Sequence, residues 1–197
     1  MNETNVALAG RIDDEPEYSH TFNGSRFFRF TVATCRESGT IDAVPVIISE
    51  RDIKRHGWNC FSYGTHIAIN GTFRSYNEER DGRKILVLYV KPESIFFGDY
   101  GSVNEILMDC IICKRPELRR TPNGRNICDL LTVLPYVNQK CAYVPCIAFG
   151  NLAKLAETFT IGQKLRISGK IQSRKYYKNG AERVAIEIVA NKIAPPV

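Results

Sequence analysis

The feature that most limits the fold of this chain is a repeat. "EPEYSHTFNGSRFF", from Glu15, aligns with "RPELRRTPNGRNIC", from Arg115, at a shift of 100. Pro16 pairs with Pro116, Glu17 with Glu117, Thr21 with Thr121 and Gly24 with Gly124. "VPVI" at Val44 meets "VPCI" at Val144 at the same shift. "YGTHIAINGTF" meets "IGQKLRISGKI" at a shift of 98, which the turn glycines Gly82 and Gly180 keep. Self-similarity over so long a period predicts two like units rather than one large core. Their boundaries fall at 1–98 and 102–197, joined through "FGDYGS", Phe97 to Ser102.

The second unit is the easier to read. "NEILMDCIIC" is a first strand, and the turn "TPNG" separates it from a second, "RNICDLLTVL". "YVPCIAF" is a third. "NLAKLAETF" sets Leu152, Leu155, Ala156 and Phe159 at i, i+3, i+4 and i+7, one face of a short helix. "QKLRISGKIQSRKY" and "ERVAIEIVANKI" alternate on either side of an Asn-Gly turn, a hairpin by pattern and by turn chemistry. Strands, one helix and a closing hairpin predict an all-β fold with short helices: two tandem five-stranded barrels of the oligonucleotide-binding (OB) type. A ferredoxin-like order would need two helices per unit, and each repeat has one.

Composition narrows the class. Apolar residues make up 44% of the chain, enough for buried cores. The longest apolar run, "ILVLYV", is far short of a membrane span, and "MNETNVALAG" lacks the basic and apolar regions of a secretory signal. A cytoplasmic protein without membrane contact is expected. Seven cysteines is an odd number, and most lie in apolar strand-like segments, which favours reduced core thiols over a disulfide framework. "CIIC", Cys110 to Cys113, has metal-knuckle spacing, with Cys141 and Cys146 as the obvious further ligands. It lies in an alternating stretch, however, where positions three apart point to opposite faces. No metal and no cofactor are expected.

Charge is placed unevenly. Residues 1–99 carry 12 Lys and Arg against 14 Asp and Glu, whereas residues 100–197 carry 15 against 7. A local excess of +8 points to a polyanionic partner for the second unit.

"FGNLAKLAETFTIGQKLRISGKIQSRKYYKNGAERVAIEIVANKI", with "RTPNG" upstream, resembles the bacterial single-stranded DNA-binding protein family. That family carries W-H-R-V-x-x-F-G-K-L-A-E and then G-x-x-V-x-I-x-G-x-L-x-x-R-x-W before a hairpin turn. The resemblance covers nearly all of the second copy and is weak in the first. It implies sequence-tolerant binding of unpaired DNA through stacked aromatics, in replication, recombination or repair. It implies stacking roles for Tyr143, at the tryptophan of W-H-R, for Phe149, at the phenylalanine of F-G, and for Tyr176, at the aromatic of R-x-W. Tyr136, in the preceding loop, aligns with a further stacking tryptophan. Each family tryptophan is a tyrosine here, which stacks over less area. The sequence ends in "APPV", without the family's acidic, aromatic-tipped tail for partner recruitment. The family assembles four barrels, a number that a homodimer of this chain would reach.

Strand alternation reaches the same surface from the residues alone. In "LRISGKIQSRKY" the odd positions give Leu165, Ile167, Gly169 and Ile171, a core face. The even positions give Arg166, Ser168, Lys170, Gln172, Arg174 and Tyr176. In "YVPCIAF", Val144, Cys146 and Ala148 read as core, which turns Tyr143 and Phe149 outward. Every base has a ring face, so aromatic platforms bind any sequence while cations track the phosphates. "SRKYYKNG" then reads as a basic hairpin end, with Arg174, Lys175 and Lys178 holding backbone and Tyr176 and Tyr177 offering rings. Adjacent residues point oppositely, so one of the two tyrosines, Tyr176, is the expected platform. Arg119 and Arg120, ahead of "TPNG", complete the candidate set. If Arg166, Lys170, Arg174 and Lys175 neutralise about four phosphates, log affinity falls with log salt at a slope of about −3.

The first copy lacks most of this. Ala68, Thr72 and Tyr76 stand for Arg166, Lys170 and Arg174, and Ala43 and Ser49 for Tyr143 and Phe149. It is expected to bind DNA weakly or differently, or to serve assembly. "SRFFRF" holds Phe27, Phe28 and Phe30, some of which alternation buries, and Trp58 and His56 read as packing residues. His20, His56 and His66 have no nucleophile arrangement around them, so an enzyme is not expected. The alternative is a tandem-barrel interaction module, of primosome or plasmid-transfer type, that touches DNA or RNA weakly. Stacking alone does not separate the two polymers.

Overall fold

A computed structural model of the chain describes residues 4–80, 82–135, 141–178 and 180–196, with all side chains in those ranges except at 80, 83, 135, 178 and 181. The backbone forms two compact units, one of Asn5–Arg74 and Val87–Asn104, the other of Glu105–Val197 together with the hairpin end Ser75–Leu86, which by sequence repeat belongs with the first.

The first unit runs β1 (Thr4–Ile12), β2 (Glu17–Phe22), β3 (Ser25–Cys35), β4 (Ile41–Ser49), α1 (Glu50–His56), a 3-10 turn at Trp58–Phe61, β5 (His66–Arg80) and β6 (Arg83–Phe97). Its strands are ordered β2-β3-β4-β6-β5-β1, and β1 returns to pair with β3. That closes a barrel of five strands with β2 as a wing on β3. The second unit runs β7 (Val103–Ile112), β8 (Glu117–Arg120), β9 (Asn126–Pro135), β10 (Cys141–Phe149), α2 (Gly150–Glu157), β11 (Lys164–Lys178) and β12 (Ala181–Ala194). It closes the same way, in the order β7-β11-β12-β10-β9-β8 with β7 paired to β9.

Register carries the repeat into three dimensions. Arg11 faces Ala33 as Ile111 faces Val133, and Phe27 faces Ser49 as Ile127 faces Phe149. The parallel contact Val46–Val90 recurs as Cys146–Ile188, at the two sequence shifts of 100 and 98. Gly71 and Gly169 explain one invariance between the copies. A Cβ at Gly71 would strike the Lys91 carbonyl oxygen, and one at Gly169 the Val189 carbonyl oxygen. Each long hairpin strand needs bare backbone where it crosses its neighbour so closely.

The core follows the predicted parity. Val144, Cys146 and Ala148 on β10 and Leu165, Ile167 and Ile171 on β11 are all buried. Burial pushes the Cys110 thiol up to about 12, so it packs as a neutral apolar group. Among the described residues no group of three or more His, Cys, Asp or Glu is arranged to hold a metal ion. No helix among them is long and apolar enough to cross a membrane.

Two expectations need correction. The wings β2 and β8 are strands that alternation did not reveal, because "ELRR" is exposed throughout and has no apolar face to show. α2 buries Ala153 and Ala156, while Leu155 stays 47% exposed and Phe159 lies beyond the helix end. Small side chains let the helix sit close over the barrel end, so its buried face is turned by about one residue from the predicted stripe. His56 meets the prediction, its ring packing edge-on against Phe61 and Phe97.

Candidate nucleic-acid interface

The second unit turns a continuous polar and aromatic face outward, spread over five strands. Tyr143, Pro145 and Phe149 come from β10, with Ile147 of the same parity buried between them, opposite Ala142, Val144, Cys146 and Ala148 in the core. Ile147 pairs with Asp129 on β9 and with Val189 on β12, and Val189 pairs with Lys170 on β11. Pairing along the hairpin then sets Gln172 beside Glu187, Arg174 beside Ala185 and Tyr176 beside Arg183. Arg119 joins the same face from β8, opposite Ile127, whose other neighbour is Phe149. Paired residues in a ladder share a face, so this set is one surface.

Exposure differs among the rings. Tyr143 is 46% exposed and pairs with Val133, itself paired with Ile111, so an apolar step borders its ring. Phe149 and Tyr176 are half-buried. The Arg174 guanidinium lies over the Tyr176 ring, 5.7 Å from its centroid. Tyr177 is the most exposed ring at 76%, but it points to the other side of the hairpin, as strand alternation requires. Lys175 shares that side, its Nζ 3.0 Å from Glu182, which also accepts a 3.5 Å hydrogen bond from the Tyr177 hydroxyl. Arg120 faces away from Arg119. Tyr136 and the Lys178 side chain lie outside the described residues.

The cations on the face are largely engaged already. Arg166 donates from Nε and Nη2 to the two oxygens of Asp109, at 2.6 and 2.7 Å. Asp109 is itself buried on β7, and the Arg166 hydrogen bonds hold its carboxyl below the usual carboxylate range. Arg119 forms a similar fork with Asp129, at 2.5 and 3.1 Å. Glu187 is buried in the middle of the face, 3.7 Å from Arg174 Nε, and accepts from Gln172 Nε2 at 3.3 Å. Burial pushes its carboxyl up, against the pull of Arg174, and Asp129 adds to the rise. Lys170 and Arg183 are exposed with no ion-pair partner among the described residues.

Strand parity read from the sequence puts Tyr143, Phe149 and Tyr176 on the face they occupy here, but it does not point to Asp109, Asp129, Glu187 and Arg183. A signal was present. Asp109 in "ILMDCII" and Glu187 in "VAIEIVA" are single acids inside apolar strands, and an acid there needs a cationic partner.

The Single-strand binding protein family model matches residues 103–195. That stretch of the chain is similar to the family. Two curated relatives, single-stranded DNA-binding proteins of Neisseria meningitidis serogroups A and B, are each 34% identical to the chain over 104 aligned residues. The match takes in 47% of this chain and 59% of each relative, so the chain spans about six-tenths of their length. In fold, the whole chain is similar to the wild-type single-stranded DNA binding protein from Thermus aquaticus, with a TM-score of 0.80 at 21% identity over 94% of that chain. A deletion mutant of the same protein gives 0.78 over 95%. These likenesses extend the two-barrel fold to both units, while the family match itself rests on the second.

Proposed function

We propose that the protein binds single-stranded DNA without sequence preference, in replication, recombination or repair, through the outward face of the second unit. The observation that carries this reading is the exposed Tyr143 ring on the same surface as Phe149, Tyr176 and the unpartnered Lys170. An outward aromatic with an apolar step beside it has no packing reason to be there, and a base stacked on it would contribute roughly 1–3 kcal/mol. Arg166 acts through Asp109 as a structural fork, and Lys175 and Tyr177 flank the site from the far side of the hairpin. With Lys170 and Arg183 as the cations of this face that have no ion-pair partner among the described residues, the face contributes about −1.4 to the salt slope, at about −0.7 per contact. Two copies of the chain would present four barrels, and light scattering that reports a monomer would remove that assembly.

The experiment is a titration of labelled dT, rU and duplex oligonucleotides with the full chain. Tight binding of dT with weak binding of duplex supports the reading. Equal binding of all three would make the face a general polyanion surface. One observation favours the second reading, an interaction module with weak nucleic-acid contact: Arg119, Arg166, Arg174 and Lys175 each already have an acid. Affinity for dT no better than for duplex, with a salt slope near zero, would favour that module.

A further inference from the structure

One end of each barrel is built on the same backbone frame. Gly64 N donates to the Ile12 carbonyl oxygen at 2.9 Å, and Gly162 N to that of Ile112 at 2.8 Å. Ile12 N and Ile112 N donate back, to Thr65 at 2.9 Å and to Gln163 at 3.0 Å. The frame holds the loop that leaves the first strand against the loop that leaves the helical segment, residues 13–17 beside Tyr63 in one unit and 113–117 beside Ile161 in the other.

The side chains on this shared frame are opposite in sign. Asp13, Asp14, Glu15 and Glu17 are all exposed. At a shift of 100 stand Cys113, Lys114, Arg115 and Glu117, with Lys114 and Arg115 exposed. Two carboxylates have become two cations. Existing pairs leave that contrast in place. Arg29 lies 3.8 Å from Glu17 and Lys114 2.5 Å from Glu117, both surface pairs of little strength. Arg115 has no ion-pair partner among the described residues. The acids are also fixed in position, Asp14 accepting from Thr31 N at 2.5 Å and Glu15 from Tyr63 N at 3.0 Å.

Uncovered apolar side chains border both loops at matching places. Exposed Tyr18 pairs with Phe28 as exposed Leu118 pairs with Cys128. Tyr63 is 62% exposed and Ile161, at a shift of 98, 65%. Apolar side chains that lose water, with charges beside them to set register, are the parts of a protein contact. Neither patch suits a copy of itself, since like charges would meet. Each suits the other.

We propose that the acidic, tyrosine-bearing end of the first barrel docks on the basic, aliphatic end of the second barrel of another copy of this chain. The contact joins unlike surfaces, so it is heterologous, and chains add to one another head to tail. It uses none of the residues of the outward face of the second unit and needs no nucleic acid.

The test is sedimentation velocity of the full chain over a concentration series, at about 10 mM and about 1 M salt, where charges act over about 30 Å and about 3 Å. The wild type is expected to form a larger species at low salt that dissolves at high salt. Lys114→Asp/Arg115→Glu makes both loops acidic and should sediment at low salt as the wild type does at high salt. Both side chains are exposed, so the change leaves the fold intact. Asp14→Lys/Glu15→Arg makes both loops basic and should also stay apart, whereas an equal mixture of the two variants should regain the larger species, which a merely structural role would not produce. Asp14 and Glu15 also hold their loop, so the mixture counts only if that variant still melts cooperatively, and the first variant decides without it. Wild-type sedimentation that ignores salt, a larger species that persists in Lys114→Asp/Arg115→Glu, or a mixture of folded variants that stays apart would each overturn the proposal.

Discussion

The two barrels share backbone and register but have exchanged convex for concave. The second projects Tyr143 and Phe149 outward, whereas the first has Ala43 and Ser49 at those positions, and a cleft beside Ser49. The first unit keeps its aromatics on β3: Phe27 on the outer side, and Phe28 on the inner, with Trp58 edge-on to the Phe28 ring at 5.0 Å and the Arg26 guanidinium 5.3 Å from the Phe28 centroid. The lesson is that the closing glycines and the ladder define the fold, while outward positions are free to change chemistry. Gly71 and Gly169 survive in both copies because backbone crosses there, and Tyr143 survives in one because no neighbour requires it.

That comparison can be broken in several ways. The largest single effect is expected from Asp109→Ala, which leaves Arg166 without its fork and costs about 3 kcal/mol or more in urea unfolding. The first unit has Ala9 and Ala68 near the equivalent places and no such pair to lose. Asp109 is held below the ordinary carboxylate range, so its contribution is present above the unfolded carboxylate's titration. It disappears as pH falls through the depressed folded value, and the variant's deficit should vanish there. Next, Gly71→Ala and Gly169→Ala should destabilise their own units alike, by about 1–3 kcal/mol each, since both press a Cβ on a carbonyl oxygen. A clear inequality in calorimetry would show that the copies differ in backbone as well as surface.

The smallest effect belongs to Glu187→Gln. Removing that carboxylate releases Arg174, so the salt slope for dT steepens by about 0.7. Burial raises the folded carboxyl above its unfolded value. The native protein therefore favours the protonated acid below the unfolded value and loses that advantage as pH rises through the folded one. The glutamine variant should be the more stable above that window and indistinguishable below it, a difference that thermal melts at several pH values would read.

Much of this was legible in the residues, and the rest had physical reasons to be silent. The repeat, the alternation in "LRISGKIQ" and the Asn-Gly turn lay open because burial writes a period-two pattern wherever one face meets a core. "ELRR" has no such pattern, so the wing strand stayed hidden. Leu155 misled because a helix that rests on alanines leaves its larger residues outside. Pairing of cations with acids was the main loss: Arg119 and Asp129 are ten residues apart and Arg166 and Asp109 fifty-seven, and only the ladder brings them together. Side also decided between residues that looked alike in sequence. Arg119 and Arg120 are neighbours, as are Tyr176 and Tyr177, and one of each pair faces the proposed strand.

The most direct measurement compares labelled dT binding by the wild type and by Tyr143→Ala/Phe149→Ala/Tyr176→Ala, using anisotropy at low salt. At the low end of the stacking range the three rings together contribute about 3 kcal/mol, so affinity should fall by about 150-fold while unfolding stays cooperative. An unchanged affinity in a folded triple variant would contradict the claim that these rings hold the bases.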